Sequence, residues 1–463
     1  MVTIPAELLH AIAAPGGGQV ALVIGAGCSV EAPTSMPLAT DLAHEACRQL
    51  VLDQILVEGQ CADPWDLAAL ASLVWAVTHG QTELVKRFPR AAMRQARPNL
   101  GHKLLAALMA ENAIGHVLSL NFDFAVENAA IHLGHTIPTI DAPGQPVPVR
   151  PALIYLHGSA ISDPERLVLR TEAIDDAWKN QWEQIVATQV LSAPHILFAG
   201  LGSAAPVLSA TLAMIQEALG AEKDIYQADI GDLAGNTLAQ QLNIPTERYI
   251  RGGWCEVLEK LGGRVAADHV HALKVNGLAN LVENAFGQAD RARFTGLAAK
   301  LAGVSLLALG KLRAFAQLDR NTLYRVHSPQ VDTQIAEPMV KLAELGEALG
   351  LEPRPTAGGT WQLFKDGRPR AQVLLASGGG VLRLAAVEPR ARELCAQISA
   401  EVPQGPDLIL IGGLMPSQQP PRHIDIVADV DPESLIDGLS DTPIVSANDP
   451  DFIVRIGTLL NAA

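Results

Sequence analysis

The feature that most constrains this chain is a buried-strand pattern followed at once by a glycine turn. Five apolar residues, Val20–Ile24, run directly into Gly25-Ala26-Gly27-Cys28-Ser29. A parallel strand that ends in glycines can present backbone N–H groups to a phosphate. The fingerprint of nicotinamide dehydrogenases requires a third glycine, and here that position is Val30. The turn therefore predicts a nucleotide-binding loop and argues against a dehydrogenase.

The first 260 residues alternate short apolar runs with helical patterns, which predicts a parallel sheet covered on both faces. Strands are predicted at 20–24, 116–120, 153–156, 195–199 and 225–229, and helices at 38–51, 65–77, 101–110, 179–191, 206–219 and 254–262. The carboxyl ends of parallel strands meet in one crevice. We therefore expect four strand ends to converge there: the glycine turn, Asn121 with Asp123, His157, and Gly200-Leu201-Gly202-Ser203.

The pattern changes after about residue 264. Amphipathic helices are predicted across 266–318 and 333–350, followed by a hairpin of strands 360–365 and 371–377 around Asp366-Gly367. A strand at 381–387, a helix at 389–402 and a strand at 407–411 complete the prediction. We expect two domains, 1–263 and 264–463, of which the second is a smaller α+β domain.

Charge and composition exclude several classes of protein. The 463 residues carry 34 Lys and Arg against 49 Asp and Glu, a net charge of −15 that disfavours direct nucleic-acid binding. No apolar run approaches the roughly 20 residues that span a membrane, and the N-terminus lacks a signal-peptide pattern. We therefore expect a cytoplasmic protein. The five cysteines form no Cys-x-x-Cys pair, which predicts free thiols and no structural zinc.

Three sequence blocks, taken in order, resemble the sirtuin family in its divergent prokaryotic branch without zinc. Gly25-Ala26-Gly27-Cys28-Ser29 resembles the family's Gly-Ala-Gly-x-Ser loop around the NAD pyrophosphate. Ser119-Leu120-Asn121-Phe122-Asp123 stands where sirtuins have Thr-Gln-Asn-x-Asp, and His157-Gly158 matches the catalytic His-Gly. The resemblance implies a Rossmann-like NAD-binding domain of the sirtuin type over 1–263.

Departures from the family pattern change the expected activity. The usual Gly-Ile-Pro-Asp-Phe-Arg is represented only by Ser35-Met36-Pro37, and the usual Gly-Thr-Ser only loosely by residues 200–203. Family members that deacetylate proteins carry a four-cysteine zinc module after the His-Gly, which helps to form the acyl-lysine channel. Residues 159–171 contain no cysteine. Protein deacylation is therefore disfavoured, and cleavage of NAD remains.

The resemblance implies a role for each residue of the matching blocks. Asn121 would orient the ribose and a water molecule, Asp123 would contact the nicotinamide carboxamide, and His157 would be the general base. Asp229 either accepts from the adenosine ribose hydroxyls or caps the next helix. The remaining cofactor contacts would come from Gly25, Ala26, Gly27, Cys28, Ser29, Pro37, Gly200, Gly202 and Ser203.

The predicted function is that of an NAD+ glycohydrolase, which releases nicotinamide and ADP-ribose or a cyclic form of it. Similar zinc-less chains are anti-phage effectors that deplete NAD, and such an activity requires control. The 264–463 region would then serve regulation, oligomerisation or docking of a sensor: a short Argonaute, a HerA-type ATPase or a producer of a nucleotide signal. The alternatives are a non-catalytic NAD- or ADP-ribose-binding subunit, a scaffold subunit of a defence complex, and, less favoured, an NAD-dependent protein deacylase.

Overall fold

The computed structural model divides the chain into two units, Met1–Arg264 and Val265–Ala463. It describes residues 2–141, 145–148, 151–170, 182–202, 223–319, 322–401, 405–415 and 442–462. Each unit is built around its own sheet, the first with seven strands and the second with five.

The first unit contains a parallel sheet with the strand order β3-β4-β2-β1-β5-β6-β7. The five predicted strands are confirmed to within two residues. The two additional strands, β3 and β7, are too short to give an apolar run. The bounds are β1 Val20–Ile24, β2 Ile114–Ser119, β3 Thr139–Ile140, β4 Ala152–Tyr155, β5 His195–Ala199, β6 Asp224–Asp229 and β7 Tyr249–Arg251.

Strand β2, which follows β1 in the chain, lies on one side of β1 within the sheet. Strand β6, which follows β5, lies on the opposite side of β5. Adjacent strands whose connections run in opposite directions open a crevice beyond their carboxyl ends, where α/β proteins bind ligands. Strands β1 and β2 are buried at every residue, as expected for a sheet with both faces covered. The crevice therefore lies beyond the glycine turn that follows β1.

Helices cover this sheet, and most of the predicted ones are present. The predicted helix 179–191 is observed from Trp182, while its first residues and the predicted helix 206–219 lie outside the described residues. The bounds are α1 Ala6–Ile12, α2 Ala39–Leu52, α3 Leu67–Thr78, α4 Thr82–Val85, α5 Arg90–Arg94, α6 Leu100–Ala110, α7 Ala125–His132, α8 Trp182–Leu191, α9 Thr237–Gln241 and α10 Trp254–Glu283.

The predicted end of helix 254–262 is wrong, because α10 continues through Gly262-Gly263 to Glu283. Each glycine in a helix interior costs about 1 kcal/mol relative to alanine. Leu258, Leu261 and Val265 are all buried along the helix, so packing of this apolar face outweighs the glycine cost. The division between the two units falls inside this helix.

The second unit has the strand order β12-β11-β10-β9-β8, with β8, β9 and β10 antiparallel and β10, β11 and β12 parallel. Its helices are α11 Gln288–Ala299, α12 Leu306–Ala316, α13 Pro329–Leu349, α14 Leu384–Glu401 and α15 Phe452–Ala462. Its strands are β8 Glu352–Pro355, β9 Trp361–Lys365, β10 Arg368–Ser377, β11 Leu408–Gly412 and β12 Ile444–Ser446.

The predicted hairpin is confirmed, and both turn residues, Asp366 and Gly367, have the positive φ angles of a tight hairpin turn, 50° and 75°. The predicted strand at 381–387 is wrong, because these residues lead into α14, which begins at Leu384. Val387, Ala391 and Leu394 are buried at helical spacing, so a helix and not a strand places them in the core.

Candidate active site

The glycine turn after β1 is locked against the residues that follow β5. The Gly25 N–H donates to the Ala199 carbonyl at 3.0 Å, and Ala26–Ser29 forms one turn of 3-10 helix. A Cβ atom on Gly25 would collide with the Leu201 side chain. Gly200 has a φ of +65°, and a Cβ atom there would lie 2.5 Å from the Cys28 nitrogen. Glycine is therefore required on both sides of the crevice.

Asn121 joins the loop after β2 to this turn. Its Nδ2 donates to the Gly25 carbonyl at 3.0 Å and to Ser29 Oγ at 3.4 Å. The Asn121 side chain is buried, and among the described residues its Oδ1 has no hydrogen-bond partner. A buried acceptor without a partner is costly in a folded protein. Oδ1 can therefore accept from a hydroxyl or a water molecule bound in the crevice.

Asp123 is held by two donors from different elements. Ser29 Oγ donates to its Oδ2 at 2.9 Å, and the Ala125 N–H, in the first turn of α7, donates to its Oδ1 at 3.0 Å. Burial raises the pKa of Asp123, and the two hydrogen bonds oppose that shift. Both carboxylate oxygens are thus engaged, and Asp123 fixes the Ser29 hydroxyl in place.

His157 follows β4 on the next loop along the sheet edge. The Leu156 N–H donates to the Ser119 carbonyl at 3.0 Å and the Ala160 N–H donates to the Phe122 carbonyl at 2.8 Å, so this loop is fastened to the Asn121 loop on both sides of the histidine. Desolvation lowers the pKa of His157 to about 4. No described residue hydrogen-bonds its imidazole. The ring is therefore neutral at pH 7 and can accept a proton.

Tyr155 and Glu127 support the loop after β2, and sequence reasoning missed both. The Tyr155 hydroxyl lies 2.9 Å from the Asp123 carbonyl oxygen and 2.5 Å from Glu127 Oε2. Burial raises the pKa of Glu127 to about 7. Because one hydroxyl carries one proton, a protonated Glu127 can donate to Tyr155 while Tyr155 donates to Asp123. The Asp123 backbone is thereby held in place.

Asn99 is a second supporting residue that sequence reasoning missed. It caps α6, and its buried Nδ2 donates to the Cys28 carbonyl at 3.0 Å on the back of the glycine turn. Its N–H donates to Thr34 Oγ1 at 3.0 Å. Asparagine before an apolar helical run is a typical cap. The contact with a turn 71 residues away leaves no signal in the sequence.

The remaining predicted residues lie around the turn. Met36 N donates to the Ser29 carbonyl at 2.8 Å, which holds Pro37 near the loop. Asp229 ends β6 and accepts from the Gly231 N–H at 2.8 Å and from Asn236 Nδ2 at 3.1 Å. The helix-capping alternative for Asp229 is wrong, because Asn236 caps α9.

Gly202 lies beside Asp229: a Cβ atom built there would be 3.9 Å from Asp229 Oδ2. The ribose-binding role of Asp229 stays a prediction. Ser203 lies outside the described residues.

All five cysteines are free. Across the described ranges, no group of three or more His, Cys, Asp or Glu side chains could hold a metal ion. Within those same ranges, every helix is too short or too polar to cross a membrane.

Comparison with known proteins finds a family model that matches part of the first unit. Residues 115–244 match the family model of the SIR2-like domain. The matched segment includes Asn121, Asp123, His157, Gly200 and Asp229, whereas the glycine turn lies before it. No curated protein matches the chain.

Among solved structures, the chain is similar to a Sir2 homologue in complex with NAD, at 18% identity over 56% of this chain and 93% of that one, with a TM-score of 0.30. It is also similar to a mutant Sir2 homologue in complex with ADP-ribose, at 19% identity over 57% of this chain and 96% of that one, with a TM-score of 0.30.

Proposed function

We propose that the protein is an NAD+ glycohydrolase that cleaves the bond between nicotinamide and ribose. One observation supports this most. Asn121, Ser29 and Asp123 form one chain of buried hydrogen bonds under the glycine turn, a neutral His157 stands on the adjoining loop, and residues 115–244 match the SIR2-like domain. NAD+ is the substrate here, and no metal is needed for the proposed step.

The reaction makes modest chemical demands that these residues can meet. Nicotinamide leaves with the bonding electron pair, and positive charge develops on the ribose. Water then adds to the anomeric carbon and loses a proton, so the products are nicotinamide, ADP-ribose and H+. The unpartnered Asn121 Oδ1 would orient the ribose hydroxyl or the water without adding a charge. His157 would accept the proton, because its ring is neutral.

The other predicted residues would bind the rest of the dinucleotide. Backbone N–H groups of 25–29 would face the pyrophosphate, while Asp229 beside Gly202 would accept from the adenosine ribose hydroxyls. Asp123 would contact the nicotinamide end through its loop. Attack by a group of the substrate itself instead of water would give a cyclic product from the same site.

We further propose that this activity depletes cytoplasmic NAD in bacterial anti-phage defence. The absence of zinc-module cysteines from 159–171 supports NAD cleavage over protein deacylation. The second unit would keep the enzyme under control as a homo-oligomer or through a sensor protein. Infected cells that express the wild-type protein should lose NAD before lysis, whereas cells that express His157→Ala should keep it.

The first experiment measures nicotinamide and ADP-ribose release by concentrated, purified protein. Wild type should cleave NAD+, and Asn121→Ala and His157→Ala should each reduce the rate at least about 100-fold, the scale of removing a general base. Asn284→Ala is the matched control, because among the described residues the exposed Asn284 side chain bonds only to Asn280, one helix turn earlier in the second unit. Equal cleavage by all variants would show that the site is wrong.

Two further measurements separate the alternatives. A non-catalytic module would bind NAD+ or ADP-ribose in calorimetry without releasing nicotinamide, and its binding would survive His157→Ala. A deacylase would release nicotinamide only when an acetyl-lysine peptide is present. Nicotinamide release without any peptide would therefore support the glycohydrolase over both.

A further inference from the structure

A second cavity lies in the first unit, outside the residues assigned to NAD. It is open to solvent, has a volume of about 490 Å³, and is lined by residues 94–98 with Pro33, Lys103, Asn128 and His132. We call it the cationic cavity, because Arg94, Arg97 and Lys103 contribute to it and none of its described lining residues is acidic. None of the residues predicted to bind NAD lines it.

The charge is concentrated in one stretch of sequence. Between Glu83 and Glu111 the chain has six Lys or Arg residues and no Asp or Glu. This contrasts with residues 1–263 as a whole, which carry 15 Lys and Arg against 27 Asp and Glu. A cationic segment in an acidic unit requires an explanation in terms of its partners.

Half of these cations have partners within the protein. Lys86 and Arg87 pair with Glu83, and Arg90 donates to the carbonyls of Ala160 and Ser162. The other half are the three that line the cavity. Arg94, Arg97 and Lys103 form no ion pair with any residue that the structure describes.

The backbone of the cationic cavity is fixed. Asn128 Nδ2, on α7, donates to the carbonyls of Arg94 and Ala96 at 3.1 and 2.9 Å. Met93 and Ala96 are buried on the inner side of the segment. The guanidinium groups of Arg94 and Arg97 are thus carried by an anchored backbone, which reduces the entropy lost when they close on a ligand.

We propose that the cationic cavity binds a small anion with at least two phosphate groups. Guanidinium groups match phosphate oxygens in a bidentate geometry, and Lys103 adds a compact charge. A volume of about 490 Å³ falls within the range of small-molecule pockets. The excess of Asp and Glu over Lys and Arg in residues 1–263 disfavours an extended nucleic acid, which needs many basic contacts. This inference is independent of the NAD-cleaving function.

The test titrates the full chain with inorganic pyrophosphate by calorimetry, and the cavity variants separate binding in the cavity from binding at the NAD site. Wild type should bind, and its affinity should fall as NaCl is raised. The double variant Arg94→Gln/Arg97→Gln should bind at least about 10-fold more weakly, since it removes two charge-assisted contacts to the phosphate oxygens. The control is Arg370→Gln, an exposed arginine of the second unit.

Because Arg94 and Arg97 are exposed, the double variant should fold, and an unchanged melting temperature checks this. Lys103→Gln gives an independent variant from another element. ADP and ATP in place of pyrophosphate show whether the anion is free or part of a nucleotide, and binding of either supports the cavity. Pyrophosphate affinity unchanged by the double variant would overturn the proposal. So would binding by a single-stranded oligonucleotide with none by pyrophosphate.

Discussion

The hydroxyl of Ser29 and the carboxylate of Asp123 meet at 2.9 Å, although 94 residues separate them in sequence. Both side chains are buried, and this hydrogen bond acts with those of Asn121 Nδ2 to join the glycine turn after β1 to the loop after β2. The contact places the two loops in register at the crevice. The proposed site therefore depends on a contact that can be removed one partner at a time.

Replacement of Ser29 by alanine should weaken the protein as well as the site. Asp123 would lose a donor to its charged form, which raises its pKa further and leaves a buried acceptor unsatisfied. We expect the free energy of unfolding to fall by about 1–3 kcal/mol. Urea denaturation at pH 7 measures this. If Ser29→Ala and Asp123→Asn are additive in the double variant, the two side chains are not coupled.

Gly200→Ala should be more damaging than its size suggests. The new methyl group would meet the Cys28 backbone nitrogen at 2.5 Å in a residue with φ of +65°. We expect a loss of about 2–4 kcal/mol, of which only about 1 kcal/mol is the left-handed backbone. Gly16→Ala is the control, because Gly16 has φ of +84° and its added methyl group would have no neighbour within 4 Å. Equal melting temperatures for both variants would contradict the close packing of Gly200 against the glycine turn.

The pH profile of NAD cleavage should reflect the lowered pKa of His157. Since burial lowers that pKa to about 4, the neutral ring persists well into acid. The value of kcat/KM should stay level as pH falls from 8 to about 5.5 and should halve only near pH 4. A midpoint near 6.5 would show instead that the working imidazole is solvated.

His102 should make stability depend on pH. Burial beneath Trp254 lowers its pKa to about 4, whereas the unfolded chain protonates near 6.5. Below pH 6.5 the unfolded state therefore binds a proton that the folded state does not, so the free energy of unfolding falls as pH drops toward 4. The loss is up to about 3 kcal/mol for this group.

Urea midpoints at pH 7 and pH 4.5 test this for wild type and for His102→Gln. The variant should lose part of the difference between the two pH values. Gln95→Ala, at an exposed position without a titratable group, should retain the full difference. If the difference between the two midpoints is the same in His102→Gln as in wild type, His102 is protonated in the folded state.

The longer strands of the first sheet could be predicted from the sequence, because they are continuous apolar runs. Val20–Ile24 and His195–Ala199 were predicted to the residue. Strands of two or three residues, such as Thr139–Ile140, have no period to detect. The continuation of α10 past Gly262-Gly263 depends on tertiary burial that local propensity opposes.

The residues of the candidate site also divide into those that could be predicted from the sequence and those that could not. Glycine, Asn-x-Asp and His-Gly motifs at strand ends pointed to the crevice, because the parallel topology brings such ends together. Tyr155, Glu127 and Asn99 could not be predicted, since each acts through a contact distant in sequence. Asp229 was predicted as either a ribose ligand or a helix cap, and only the structure excludes the cap, because Asn236 caps the following helix.

Asn99 also connects the cationic cavity to the proposed NAD site. Pro33 and Pro98 line the cationic cavity. Each is followed by a residue of a hydrogen-bonded pair, Thr34 and Asn99. Asn99 in turn donates to the Cys28 carbonyl of the glycine turn. An anion that shifts this pair would change the affinity of the glycine turn for NAD. Thermodynamic reciprocity would then require NAD to change the affinity for the anion by the same factor. Cellular NAD would thus set how much of the anion is needed to act on the enzyme.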